Sequence, residues 1–358
     1  MSKLNVAVLF GGVSNEHEIS LRSAANIIRF MPKDKYNIIP IGITKKGRWL
    51  FYPGDVSEIE NGNWETNSDC TPAVIIPDPM YRGILKYNDG KFSIEKIDVV
   101  YPAVHGKNCE DGILQGVLEM SGIPYVGSSA LASATCMDKV LTHLVLEREG
   151  IRMAKFCTLL RDDLDRLDSF CEEVEEKLGF PVCVKPACSG SSVGVNKASN
   201  AEELKSAVKT AFSHDDKALV EEYIVGRELE VAVMGNSPSD TFTTSVGEIL
   251  SANEMYDYEA KYVNTESASA IPDDIHENGV SKEIKETALK AYKALGCKGL
   301  SRIDFFAAKN GVYLNEINTL PGFTNISMYP KLMDDAGIPA SELIDRLIKL
   351  CLELHGEI

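Results

Sequence analysis

Two short stretches near the end of the chain concentrate functional groups, Arg302-x-Asp304 and Glu316-x-Asn318. Each pair is spaced i, i+2, so on a strand both members share one face. If Lys309-Asn310-Gly311 is a three-residue hairpin loop with Gly311 left-handed, Ala308 pairs with Val312, and the register sets Asp304 opposite Glu316 and Arg302 opposite Asn318. A two-residue Asn310-Gly311 loop would instead oppose Asp304 with Ile317. Two carboxylates and an amide beside an arginine suit hard divalent cations that bridge phosphates. The same pattern also describes a solvated sheet face with cross-strand ion pairs.

Ser189-Gly190-Ser191-Ser192-Val193-Gly194 follows Lys185 and offers backbone N–H groups and hydroxyls that could fold over phosphates; a flexible polar hairpin fits it too. It is not a Walker A loop, since no Gly-Lys-Ser/Thr follows. Lys185 lies in an apolar strand, where an unpaired ammonium is costly, so a phosphate or a carboxylate must partner it. His105, beside Gly106 at a strand end, is a functional or a structural histidine, and no His-x-x-His spacing suggests zinc. Gly11-Gly12 lacks the dinucleotide pattern G-x-G-x-x-G.

Elements must position these groups. Asn5–Phe10 reads as a buried strand, 18–30 as a helix, Asn37–Ile43 and Ile97–Val104 as strands, and Asp111–Ser121 as a helix stopped by Gly122. Residues 1 to about 125 therefore read as a small parallel-sheet domain. A helix from Asp165 closes at Gly179, strands are expected at Pro181–Pro186 and Val195–Ala198, and Asn200 with Glu203 forms a capping-box candidate before a strand at Leu219–Tyr223. The last third alternates strands (Glu228–Met234, Ser301–Ala308, Gly311–Asn318) with helices near 282–295 and 341–353, the second capped by Ser341. Between them Asn253–Asp274 is long and polar, as functional lids often are.

The 358 residues include 37 Lys and Arg against 53 Asp and Glu, a formal charge of −16. That balance disfavours a non-specific binder of nucleic acid or of an anionic membrane. Apolar runs such as Val6–Phe10 fall far short of the ~20 residues of a membrane span, and the start reads as strand and turn, not as a signal peptide. Nine scattered cysteines without a C-x-x-C pair fit reduced thiols and a cytoplasmic protein.

Taken in order, the motifs resemble the D-alanine-D-alanine ligases of the ATP-grasp superfamily. They are Gly11-Gly12-x-Ser14-x-Glu16-x-Glu18-Ile19-Ser20, His105-Gly106 with Glu110-Asp111-Gly112, Met137-Asp138-Lys139, Val184-Lys185-Pro186, Gly190–Gly194, Tyr256–Tyr262, Gly296–Gly299, Arg302-Ile303-Asp304 and Asn315–Gly322. The resemblance implies an α/β fold: an N-terminal parallel-sheet, Rossmann-like substrate-binding domain (1–126), a central ATP-grasp subdomain with the phosphate loop (127–216), and a C-terminal subdomain with metal site and lid (217–358).

It further implies roles. Lys139 and Lys185 would hold ATP phosphates under the loop of Gly190, Ser191 and Ser192; Glu221 and Tyr223 would border adenine, Glu228 would bind ribose, and Lys261 would reach the γ-phosphate. Asp304, Glu316 and Asn318 would coordinate two Mg²⁺ or Mn²⁺ ions. Glu16 would anchor the first D-amino acid in a hydrogen-bonded triad with Ser191 and Tyr262, near His105, while Arg302 would stabilise the oxyanion and Gly322, Ser327 and Met328 would receive the second amino acid. D-alanine is the implied substrate. Lys261-Tyr262 resembles the dipeptide-forming enzymes and Met328 suits a methyl, whereas Pro40–Thr44 with Gly47-Arg48-Trp49 is similar to the D-serine branch of vancomycin-resistance ligases. A homodimer through the first domain is implied as well. From another class, a nucleotide-binding protein that kept the fold and lost turnover is the remaining alternative.

Overall fold

The computed structural model describes residues 2–250, 268–272, 274–275 and 279–357. Most of the expected lid Asn253–Asp274, including Lys261 and Tyr262, lies outside the described residues.

Val6 to Phe10 are completely buried, as an apolar run covered on both sheet faces must be. They form the middle of β1 (Leu4–Gly11), which joins β2 (Tyr36–Ile43), β3 (Trp49–Phe51), β4 (Thr71–Ile75), β5 (Gly83–Asn88), β6 (Lys91–Lys96) and β7 (Val99–Pro102) in one sheet. The spatial order is β6-β5-β4-β3-β2-β1-β7. Only β1 with its neighbours β2 and β7 is parallel; β3 to β6 extend the sheet antiparallel. The sheet is thus parallel where the sequence pattern is read and mixed as a whole. The extension turns at Asp89-Gly90, whose φ values of 49° and 78° suit the tight hairpin between Asn88 and Lys91.

The second sheet, ordered β10-β9-β11-β8, contains β8 (Phe156–Leu160), β9 (Val182–Pro186), β10 (Asn196–Ala198) and β11 (Lys217–Glu222). Helices Leu167–Lys177 and Ala201–Ala211 close its core through Phe170, Val174, Leu204 and Val208. The expected capping box forms in a shifted version: Asn200 Oδ1 accepts from Glu203 N at 3.0 Å, while Glu203 Oε2 accepts at 2.8 Å from Ser199 N, one residue before the cap.

The third sheet, ordered β14-β13-β12-β15-β16, contains β12 (Gly226–Gly235), β13 (Phe242–Leu250), β14 (Ala268–Ala270), β15 (Gly299–Ala308) and β16 (Gly311–Asn318). One face packs against helix Val280–Ala294. The other shares a core with the first sheet, in which Val6, Phe10 and Tyr101 join Met234, Leu300, Phe323 and Leu347. The last helix begins at Ala340 after an extended Pro339, whose carbonyl accepts from Leu343 N; Ser341 is inside the first turn and is not its cap.

The β15–β16 pairing corrects the expected turn. Ala308 faces Gly311 and Ala307 faces Val312, so the loop is Lys309-Asn310. The register then shifts between Phe305 and Asp304, which leaves Asn315 as an extra residue on β16. Beyond this bulge Asp304 faces Glu316 and Arg302 faces Asn318 as expected. The extra residue sits in the strand rather than in the turn, where bulges commonly re-aim a side chain.

Candidate active site

A cavity of about 230 Å³ opens between the second and third sheets. Lys139, Cys183, Lys185, Ser189, Ser192, Glu221, Tyr223, Glu228, Phe306 and Glu316 line it. Lys139 is the first residue of helix Lys139–Arg148, where Asp138 caps by accepting from Val140 N and Leu141 N. Its Nζ donates to Ser189 O at 2.8 Å and stands 3.8 Å from Glu316 Oε2. Lys185 has the partner its apolar strand requires: Nζ lies 2.5 Å from Glu221 Oε2 and donates to the bulged Asn315 Oδ1 at 3.1 Å. Burial alone would push the Lys185 ammonium down, but Glu221 outweighs it and holds the group well above the ordinary lysine range. Burial would likewise raise the Glu221 carboxyl; Lys185 and a 2.7 Å hydrogen bond from His143 Nε2 reverse this and bring it to about 2. Burial pushes the Cys183 thiol up to about 11, so it lines the wall as a thiol.

A second cavity, about 100 Å³, lies under the first sheet's C-terminal edge. Glu16 ends the β1 turn and precedes helix His17–Phe30. It accepts a hydrogen bond from Ser191 Oγ. Two glycines crowd its carboxylate, since a Cβ on Gly106 would stand 2.5 Å from Oε2 and one on Gly190 would stand 3.0 Å away. His105 is held on both ring nitrogens, Nε2 by Ser23 Oγ at 3.1 Å and Nδ1 by Glu110 Oε1 at 3.2 Å. Burial would lower it, yet Glu110 prevails and raises it. On the opposite wall Ser327 Oγ accepts from Thr324 N at 3.0 Å, close to Gly322, and Met328 is buried beneath. Arg302 donates to both oxygens of Asp304 at 2.8 and 2.7 Å.

Glu316 lines both cavities. The serine-glycine loop is their partition: Ser189 and Ser192 face the first, Gly190 and Ser191 the second. Its sharp course uses left-handed Ser191 and Ser192, at φ 51° and 57°. Asp304 and Glu316 lie across adjacent strands, and Asn318 Nδ2 donates to Asp304 Oδ2 at 3.1 Å. Among the described residues no three His, Cys, Asp or Glu side chains converge on one point. The candidate donor oxygens of Asp304, Glu316 and Asn318 suit a hard divalent cation; of the three, Glu316 lines the lysine-lined cavity and both Glu316 and Asn318 line the second one.

The sequence motifs miss some members. Glu230 lines the second cavity, stands 3.1 Å from Arg302 Nε, and faces Asp304 across β12 and β15, so three carboxylates cross three strands in register. Its signal was the i, i+2 spacing from Glu228. Thr324 and Ile249 also line that cavity, and nothing in their spacing marked them.

Residues 5–128 match the family model described as D-ala D-ala ligase N-terminus, and residues 145–349 match D-ala D-ala ligase C-terminus. The chain belongs to the D-alanine–D-alanine ligase family. A D-alanine–D-alanine ligase of Caldicellulosiruptor bescii is 47% identical, covering 100% of this chain and 97% of its own. That of Proteus mirabilis is 44% identical over 99% and 97%. Among solved structures, the VanG D-Ala:D-Ser ligase of Enterococcus faecalis matches with a TM-score of 0.86 at 38% identity, covering 98% of this chain and 100% of that one. The D-alanine-D-alanine ligase of Coxiella burnetii gives 0.85 at 35%, covering 99% and 97%. Like them, this family member is an ATP-grasp fold with a parallel-containing N-terminal sheet.

Proposed function

We propose that the protein is an ATP-dependent ligase that joins two D-alanines into D-alanyl-D-alanine through an acyl phosphate, for peptidoglycan precursor synthesis. One observation carries this reading: a larger cavity lined by Lys139 and Lys185 meets a smaller polar one at Glu316, with a single hydroxyl-rich loop between them. A phosphoryl donor and a carboxylate acceptor bound on the two sides would face each other there.

A carboxylate is a poor electrophile towards an amine. Attack of its oxygen on the γ-phosphorus, with ADP leaving, converts it into an acyl phosphate; the second amino acid's free amine then attacks the acyl carbon and phosphate leaves. Lys139 and Lys185 hold the polyphosphate, with Tyr223 at the base and Glu228 at the ribose. Glu16 receives the ammonium of the first D-alanine and Ser191 orients Glu16. Gly322 and Ser327 receive the second D-alanine, and Arg302 meets the oxyanion that develops at the acyl carbon. Asp304, Glu316 and Asn318 would hold Mg²⁺, which offsets the negative charge that crowds the transferring phosphoryl group. We also assign three units, the first at 1–126; the expected boundary at 216 moves to the end of β11, because β11 pairs with β8 and β9 and so belongs to the central unit, and the remainder is the third. A cytoplasmic homodimer completes the assignment.

The folded protein incubated with ATP, Mg²⁺ and D-alanine is expected to release phosphate and form dipeptide, and absence of both rejects the reading. The likeness to a D-Ala:D-Ser ligase supports a second reading, with D-serine as acceptor. Buried Met328 in the acceptor wall suits a methyl, and a hydroxyl left there without a partner costs ~1–3 kcal/mol, tenfold or more in discrimination. In direct competition D-alanine is therefore expected to outcompete D-serine; preference for D-serine selects the second reading.

A further inference from the structure

Helix Lys139–Arg148 carries Lys139 and, one turn later, His143 on the same face. Lys139 lines the nucleotide cavity, whereas His143 lies behind its wall with a side chain only 2% exposed. Phe156 covers the ring at a centroid distance of 4.6 Å. Its Nε2–H donates to Glu221 Oε1 at 2.7 Å, and Nδ1 has no hydrogen-bond partner among the described residues. Burying an imidazole with one nitrogen unpartnered opposes stability, so packing alone is a poor reason for histidine here. The other oxygen of Glu221 holds Lys185, which in turn reaches Asn315. A chain of four side chains thus runs from a buried helix face to the cavity.

We propose that His143 is a positioning residue for the nucleotide, an inference that rests on the ATP-dependent reading above. By occupying Oε1 it fixes the rotation of the Glu221 carboxylate, so that Oε2 sets the place of the Lys185 ammonium on the cavity wall. Without that donor both oxygens are available to Lys185, and the ammonium is drawn from the polyphosphate towards Glu221. The site then loses grip on a nucleoside triphosphate, while the amino-acid cavity, which His143 does not approach, is unaffected.

The test compares His143→Leu, which removes the donor but keeps an apolar filling, with His143→Gln, whose amide N–H can reach Glu221. Binding of a non-hydrolysable ATP analogue with Mg²⁺ is measured by calorimetry, beside steady-state kinetics. His143→Leu is expected to weaken analogue binding and raise KM for ATP about tenfold, the size of one lost hydrogen bond to a charged group. KM for D-alanine and kcat at saturating ATP should stay within about twofold, and His143→Gln should recover most of the affinity. Should His143→Leu not fold, His143→Asn, too short to reach Glu221, carries the same expectation. Equal analogue affinity in wild type and variant overturns the role of His143, as does a parallel rise in KM for D-alanine or a glutamine variant as weak as the leucine one. A wild-type chain that binds no analogue overturns the ATP-dependent reading itself, and this inference with it.

Discussion

Among the described residues Glu316 is the one that lines both cavities, which puts its carboxylate where the two bound groups would meet. Glu316→Gln keeps the shape and removes the charge. Phosphate release is expected to fall by at least about a hundredfold, with an unchanged far-ultraviolet circular dichroism spectrum; near-normal turnover would remove Glu316 from the phosphoryl-transfer machinery. Glu221 has a different signature, because its carboxyl sits at about 2 in the fold. A carboxyl depressed on folding contributes stability above its unfolded pKa of about 4.3, and that contribution is lost as pH falls towards the folded value. Glu221→Gln leaves Lys185 buried without its carboxylate. It should cost about 3–5 kcal/mol at pH 7, measured by urea denaturation, and the gap between wild type and variant should narrow from about pH 4.5 down to about 2. A gap independent of pH would mean that the pair is not what holds the carboxyl down.

At the scale of elements, local caps and remote pairing behave differently. Asn200 caps the helix Ala201–Ala211 by accepting from Glu203 N, and neither residue lines a cavity. Asn200→Ala should therefore lower stability by about 1 kcal/mol while leaving kcat and both KM values unchanged; a shift in either KM would tie the helix Ala201–Ala211 to the site. Gly106 makes the opposite case. At φ 74°, with Glu16 2.5 Å from any added Cβ, it couples a turn to the site. Gly106→Ala should cost about 1–2 kcal/mol in stability and raise KM for D-alanine several-fold, and an unchanged KM would separate Glu16 from the amino acid. Most of these elements were legible, because helix periodicity, the capping pattern and glycine stops act within a few residues. The hairpin was only half legible: its facing pairs follow from spacing, but the extra residue could sit in the loop or in the strand. Nothing local distinguishes a turn at Lys309-Asn310 with a bulge at Asn315 from a longer turn ending at Gly311. The antiparallel extension at β3 to β6 carried an Asp-Gly turn signal, yet its strands are short and partly exposed, so their alternation is weak.

For the whole molecule, a charge of −16 coexists with a cavity that gathers Lys139 and Lys185 and a neighbouring one that holds Arg302. Net charge sets long-range behaviour, whereas a phosphate site is decided within a Debye length. An ATP analogue with Mg²⁺ should therefore raise the melting temperature as its concentration passes Kd, by mass action on the folded state; no shift at millimolar analogue would argue against a nucleotide site. The sequence by itself determined the family, the strand pairs that bear Arg302, Asp304, Glu316 and Asn318, and the demand that Lys185 find a partner, because motif order, period-two spacing and the cost of a buried charge need no knowledge of distant contacts. Tertiary structure alone decided that the partner is Glu221, that Glu230 joins the row of carboxylates, that His143 stands behind the nucleotide wall, and that Glu16 meets Ser191. Each of those contacts joins residues separated by tens to hundreds of positions, where sheet order and shared cores, not local periodicity, determine which side chains meet.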